Sequence, residues 1–251
     1  MGFLVKKIVY QGSKNRIAKY IVPIIQKYID DNNIETYIEP FVGGANIIDK
    51  IQCKNKIGAD INDELIALLK YVQKNPTIPI APKICSKEHY MDVRENRKAG
   101  GGKYSKEYTA LIGYCASFGG KYYNGGFGQV RTGKRNIYYE RVINLRKQAI
   151  SLKNISFMSC DYNYFKDVKN CLLYLDPPYK GTSNYAKSCM NYDHFYKFCH
   201  DIAQNNFVII SEYDMPSEEF KCIWQKERTV CQDANRINGQ KATEKLFIPN
   251  L

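Results

Sequence analysis

The chain has 251 residues, 44% of them hydrophobic, and a formal net charge of +12. That length fits one large domain or a catalytic domain with a smaller lobe, and that apolar fraction excludes a disordered chain. The longest apolar runs fall far short of a membrane span, and the first seven residues lack signal-peptide organisation, so a cytoplasmic location is expected. Nine cysteines without a Cys-x-x-Cys pair and only three histidines argue against a disulfide framework or a metal centre, and no metal is expected.

In chain order, Tyr10-Gln11-Gly12-Ser13-Lys14 comes first, a flexible Gly-Ser turn before a predicted helix over Asn15–Tyr28. Such a turn either leaves Lys14 solvated or sets it over a ligand carboxylate or a nucleic-acid backbone. A strand over Thr36–Ile38 runs into Glu39-Pro40-Phe41-Val42-Gly43-Gly44, and an apolar helix start is expected after it. A glycine turn between strand and helix presents backbone N–H groups to an anionic or carboxylate-bearing ligand, although the third glycine of the dinucleotide fingerprint is missing. A second strand, Lys56–Ala59, ends at Asp60, about twenty residues past the turn, a spacing suited to holding ribose hydroxyls. Asp60 serves equally as the cap of the helix predicted over Asp63–Gln73.

The middle of the chain differs. Pro76, Pro79 and Pro82 fragment it, residues 83–117 read as helical, and glycine-rich loops follow at 118–128. A further helix is predicted over Tyr138–Leu152. From Arg94 to Lys153 there are thirteen basic residues against three acids, a net of +10, interleaved with seven tyrosines. Basic residues among aromatics suit a phosphate backbone and exposed bases. Residues 75–153 are therefore expected to form an insert that divides a catalytic domain of residues 1–74 and 154–251.

The remaining elements are predicted strands at Ile155–Met158, Leu172–Leu175, Phe207–Ile210, Cys222–Val230 and Leu246–Ile248, and a helix over His194–Asn205 with Asp193 as its cap. Alternating short strands and amphipathic helices predict an α/β fold with a mostly parallel sheet. Asp161 follows one strand. The buried run Cys171–Leu175 leads directly into Asp176-Pro177-Pro178-Tyr179. Three acids after three strands, Asp60, Asp161 and Asp176, would line the carboxyl edge where open α/β sheets bind ligands, an arrangement suited to a nucleoside with a cationic centre. There an exocyclic amino group could donate to the Asp176 carboxylate and the Pro177 carbonyl while Tyr179 stacks on its ring.

These residues resemble the Dam-like adenine-N6 DNA methyltransferases of bacteria and phages. The matching elements are Gly-Ser-Lys at 12–14, Glu-Pro-Phe-Val-Gly-Gly at 39–44, Asp-Ile-Asn-Asp at 60–63, the basic insert and Asp-Pro-Pro-Tyr at 176–179. Ser211-Glu212-Tyr213 followed by Cys222-Ile223-Trp224 is similar to the phage-encoded branch.

The resemblance implies a Rossmann-like methyltransferase sheet with an inserted, mostly helical target-recognition domain. It implies S-adenosylmethionine as methyl donor, S-adenosylhomocysteine as product, and double-stranded DNA as substrate with the target base flipped. By the same resemblance Tyr10, Lys14, Phe41, Gly43, Gly44, Asp60, Asp161 and Asp176 would hold the donor, and Asp176, Pro177, Pro178 and Tyr179 would form the catalytic element. In the insert, Tyr122, Tyr123, Arg131, Lys134 and Arg135 are the expected DNA contacts. The chain lacks the Phe-Asn-Val-Pro-Phe-Gly element of GATC-specific members, carrying Gly126–Arg131 instead, so GATC recognition is not transferred. A monomer or weak dimer is expected, with a restriction endonuclease as a conceivable genomic partner. The competing readings are cytosine-N4 or RNA adenine methylation, and a catalytically inactive sequence-specific DNA-binding protein.

Overall fold

The computed structural model describes residues 8–10, 12–128, 135–179, 190–230 and 240–251, with the backbone alone at 228–230, 240 and 241. Among them, seven strands form one sheet in the order β3-β2-β1-β4-β5-β7-β6. The strands are β1 (Thr36–Glu39), β2 (Asn55–Asp60), β3 (Ser156–Ser159), β4 (Leu172–Leu175), β5 (Phe207–Glu212), β6 (Phe220–Val230) and β7 (Gln240–Pro249). The first five pair in parallel, while β7 runs antiparallel to both β5 and β6. This is the expected α/β class, and β4 falls on the predicted residues.

All four residues of β4 are buried, as a central parallel strand requires. Leu172 and Tyr174 join the apolar cluster on one side, and Leu173 and Leu175 the cluster on the other. Alternate side chains of one strand thus anchor both layers. The first cluster is built with α1 (Ala18–Asp31) and α2 (Asp63–Lys74), the second with α6 (Tyr192–Ala203).

The middle of the chain supplies α3 (Lys87–Lys98), α4 (Lys106–Ala116) and α5 (Ile137–Ala149). Tyr90, Val93, Leu111, Ile112, Tyr138 and Leu145 from these helices share one buried cluster with Leu65 and Leu68 of α2. The helical stretch expected over 83–117 is two helices, because Gly100, Gly101 and Gly102 all adopt positive φ (94°, 82° and 104°) and stop α3. The carboxyl end of α4 is closed by Arg141, whose Nη1 donates to the carbonyls of Tyr114, Cys115 and Ser117.

Three local expectations are corrected. The helix expected over Asn15–Tyr28 is a short 3-10 turn, Lys14–Arg16, followed by α1 from Ala18. After Gly-Gly no α-helix forms. Gly43 and Ala45 take positive φ (47° and 53°), which breaks the right-handed path, and only a 3-10 turn follows at Ile48–Lys50. The cap of α6 is Asn191, not Asp193: its Oδ1 accepts from the His194 amide at 3.0 Å, and Asp193 becomes an acid of the first turn.

Candidate active site

The strand order reverses between β1 and β4, so their carboxyl ends form the sheet's switch point, the place where open α/β sheets bind ligands. Glu39 ends β1 there, and Asp176 stands one residue beyond β4. Lys14 reaches the same place from the 3-10 turn that Ser13 caps by accepting from the Asn15 amide. Its Nζ lies 2.9 Å from Asp176 Oδ1 and 3.8 Å from Glu244 Oε2. The side chains are 5% exposed for Lys14, 20% for Asp176 and 1% for Glu244, so this is a buried charge cluster.

Tyr179 completes the cluster. Its hydroxyl bonds Glu244 Oε2 at 2.7 Å and Ser211 Oγ at 2.8 Å. The Lys14 ammonium sits 4.2 Å from the ring centroid, and Tyr213 meets the ring edge-on at 4.5 Å. Burial, then the charges of Asp176 and Glu244, push the Tyr179 phenol well above its ordinary range, so it remains a hydrogen-bonding hydroxyl. Pro177 is buried, and the Pro178 carbonyl accepts from the Tyr192 hydroxyl at 2.6 Å. The rigid Pro-Pro pair is thereby pinned between β4 and α6.

Beside this cluster the Glu39 carboxyl is fully enclosed. Burial chiefly raises it to about 8, the Tyr37 hydroxyl bonded at 2.6 Å opposes, and the nearby Asp176 raises it further. Glu39 is therefore uncharged at neutral pH, and Lys50 is the nearby cation that opposes the raised value.

The neighbouring turn is held by Asp60. Its Oδ2 accepts from the Gly43 amide at 3.1 Å and its Oδ1 from the Asn62 amide at 2.9 Å. The cap of α2 is Asn62, whose Oδ1 accepts from the Leu65 amide at 3.1 Å, so Asp60 belongs to the strand edge and not to the helix. Burial raises the Asp60 carboxyl, and the two amides oppose it. Tyr10 lies against this turn and packs on Tyr114 with centroids 5.7 Å apart. Gln148 of α5 ties the turn down: it donates to the Gly44 carbonyl at 2.8 Å and accepts from the Ile8 amide at 3.0 Å. Phe41 stacks on Tyr162 at 5.5 Å.

Gly43 tests the turn. At φ 47° any side chain is strained, and a Cβ would stand 2.9 Å from Cε1 of Tyr10. Gly43→Ala is expected to cost about 1–2 kcal/mol from the left-handed backbone alone. A lowered urea midpoint checks this; an unchanged midpoint would mean that the turn adopts another conformation.

The structure therefore brings Tyr10, Gly43, Gly44 and Asp60 together, and separately Lys14, Asp176, Pro177, Pro178 and Tyr179. Asp161 is exposed and caps the 3-10 turn Tyr162–Phe165, accepting from the Asn163 amide at 2.9 Å. Tyr122 and Tyr123 face inward. The first bonds Glu64 through its hydroxyl and stacks on Tyr114 at 4.5 Å, and the second donates to the Thr109 carbonyl at 2.7 Å. Arg135 pairs with Glu140 at 2.5 Å on the surface, while Arg131 and Lys134 lie outside the described residues. Gln148 and Glu244 are site residues that the sequence reading did not single out, and Glu39 and Ser211 stood in its quoted motifs without a role assigned to them. The only trace of Glu244 is an acid in the apolar alternation of β7.

The donor set fits a methyl donor with a cationic centre and a ribose. Carboxyls stand at the ends of β1, β2 and just past β4, and Asn46 Oδ1 beside Gly44 is buried without a hydrogen-bond partner. Among the described residues no group of three or more His, Cys, Asp or Glu is placed to hold a metal ion, and no helix is long and apolar enough to cross a membrane.

A family model described as D12 class N6 adenine-specific DNA methyltransferase matches residues 10–236. The chain is 26% identical over 198 residues to the type II methyltransferase M.MjaIII of Methanocaldococcus jannaschii, covering 68% of each protein. It is 27% identical over 191 residues to the type II methyltransferase M.FokI of Planomicrobium okeanokoites, covering 69% of this chain but 29% of that one. Among solved structures, a putative methyltransferase, yhhF from Escherichia coli, is similar with a TM-score of 0.35 and 8% identity over 92% of this chain and 85% of that one.

Proposed function

We propose a course for the reaction, and it starts from the family: the chain belongs to the D12 class N6 adenine-specific DNA methyltransferases. Its activity is methyl transfer to the N6 amino group of adenine at specific DNA sites, from a donor of the S-adenosylmethionine type. We take the donor to be S-adenosylmethionine itself, which when bound supplies an electrophilic methyl on a sulfonium. Asp60 would hold its ribose, the Tyr10–Gly43–Gly44 turn its amino-acid end, and Asp176 would face the reacting methyl. Phe41 would face the amino-acid end with that turn, and Asp161 would lie near the donor's adenine.

The N6 lone pair of adenine is delocalised into the ring, so the nitrogen is a poor nucleophile. Asp176 and the Pro177 carbonyl would each accept one amino hydrogen, drawing the group out of conjugation and aiming its lone pair. A new N–C bond would form as the methyl–sulfur bond breaks and sulfur leaves as a neutral thioether, and the proton lost from N6 would pass by way of its acceptor Asp176 to solvent. The protein's contribution is orientation and acceptors fixed in advance. The observation that carries this reading is Asp176 itself: a carboxylate at the switch point, held by a buried lysine and followed by a pinned Pro-Pro pair.

N6 is out of reach within a stacked duplex, so the adenine must be flipped into the crevice. Residues 75–153 would serve as the target-recognition insert. Much of its positive charge is already paired, as in Arg97 with Glu64, Lys103 with Asp92 and Lys106 with Asp63. These exposed pairs are weak enough for phosphates to displace the acids. Tyr122 and Tyr123 would then support the reading surface from beneath.

The experiment is incubation of the purified chain with tritiated S-adenosylmethionine and duplex DNA, duplex RNA or single strands, followed by nucleoside analysis. N6-methyladenine from duplex DNA is expected. Label in cytosine, or in RNA alone, would replace this reading by one of its competitors.

A further inference from the structure

We propose that Glu244 is a positioning residue of the transfer: it takes the Lys14 ammonium from Asp176 when the adenine amino group arrives. The inference rests on the role assigned above to Asp176.

The difficulty it answers is visible in the cluster. Asp176 Oδ1 must accept from adenine, yet Lys14 Nζ already lies 2.9 Å from it. The ammonium also opposes the positive charge that develops on N6 as its bond to the methyl forms, and at such separations in a buried site that repulsion is large. Expelling Lys14 into solvent would require an almost fully buried side chain to leave the protein interior. Stranding it without a carboxylate is costly too.

Glu244 removes both problems. It sits on β7, which pairs antiparallel with β5 through Ser211↔Leu246 and Glu212↔Lys245, so it lies just beyond β5 on the sheet's carboxyl edge. Its Oε2 is 3.8 Å from Lys14 Nζ, and a movement of about 1 Å converts that contact into a charge-assisted hydrogen bond. The ammonium remains over the face of Tyr179 throughout. Glu244 is itself fixed by the Tyr179 hydroxyl at 2.7 Å, so the acceptor is held in place by the tyrosine of the catalytic element. Lys14 thus guards Asp176 in the empty enzyme and retreats along a short, buried path when substrate enters.

The test compares Glu244→Gln, Lys14→Met and the double variant. Glutamine retains the volume and the Tyr179 contact but loses the charge. Glu244→Gln is expected to lower kcat by about 10- to 100-fold, less than the roughly 100- to 1000-fold cost of removing a group at the reacting centre itself, because Glu244 acts through Lys14. Donor and duplex dissociation constants, read by calorimetry, should move less than about twofold. In the Lys14→Met background the same change is expected to cost nothing further, because no ammonium is left to receive. Glu244→Asp should recover part of the lost turnover. The proposal is overturned by near wild-type turnover in Glu244→Gln, by an equal loss in the Lys14→Met background, or by no recovery in Glu244→Asp. Should Glu244→Gln fail to fold, Glu244→Asp in both backgrounds gives the same comparison, and an equal loss in each overturns it. Wild-type protein that transfers no methyl to adenine instead overturns the assignment of Asp176, and the handover with it.

Discussion

Asp176→Ala is expected to abolish methyl transfer, with kcat reduced by roughly three orders of magnitude or more, while duplex DNA still binds. Removing one preorganised electrostatic partner from a reacting centre costs about 10²–10³ in rate. In the proposed reaction Asp176 is also the acceptor that aims the nucleophile, so the loss should lie at or beyond the upper end. The proposed insert would grip the duplex away from Asp176, which leaves a gel-shift constant within a few-fold of wild type. Turnover within tenfold of wild type would remove Asp176 from the reaction.

The same variant makes a statement about stability. Stripping a buried ion of its partner typically costs about 3–5 kcal/mol. Here Lys14 keeps Glu244 at 3.8 Å and the face of Tyr179, so Asp176→Ala should lose only about 1–2 kcal/mol. Lys14→Met is expected to cost more, because it removes the cation shared by buried Glu244 and partly exposed Asp176. Urea unfolding of the two variants at neutral pH gives the order, and the reverse order would mean that Lys14 is not the charge that holds the cluster together.

How much of this was legible in the sequence follows from the range of the interactions. Leu172–Leu175 is a continuous apolar run, so the central strand could be read from adjacent residues, and Asp-Pro-Pro-Tyr follows directly at its carboxyl end. Asp60 could be placed at a strand end, but whether it capped α2 depended on Asn62, an equally competent cap two residues on. The same ambiguity moved the cap of α6 from Asp193 to Asn191. The turn after Gly43-Gly44 failed as a helix because backbone sign, not hydrophobic pattern, decides there.

Glu244 and Gln148 were invisible for a different reason. Glu244 bonds a tyrosine 65 residues away, and Gln148 bonds partners 104 and 140 residues away. No local pattern encodes such pairings. Tyr122 and Tyr123 show the converse: a basic, aromatic, glycine-rich stretch has the composition of a nucleic-acid surface, yet these two rings close over α4 and pack on Tyr114 and Tyr90.

The enclosed Glu39 carboxyl yields the second large expected effect, a fall in stability as pH rises. Unfolded, a glutamate ionises near its ordinary 4.5, whereas folded Glu39 holds its proton to about 8. Between those values the folded chain binds one proton more than the unfolded chain, so unfolding is favoured by each increment of pH. The sign is opposite to that of a salt-bridged carboxylate. Its contribution is intact below about 4.5, declines at up to about 1.4 kcal/mol per pH unit, and is exhausted above about 8. Across the whole window the loss is roughly 3–5 kcal/mol, enough to dominate a marginally stable fold.

Glu39→Gln cannot titrate, so the difference in unfolding free energy between wild type and variant should slope through this window and level off on either side. Urea denaturation at half-unit steps from pH 4.5 to 8.5 measures it, and parallel curves would rule out a proton on Glu39. The charge of Asp176 helps to hold that proton, behind burial as the main cause. Asp176→Ala should therefore move the upper end of the window to lower pH, linking Asp176 and its uncharged neighbour in one titration.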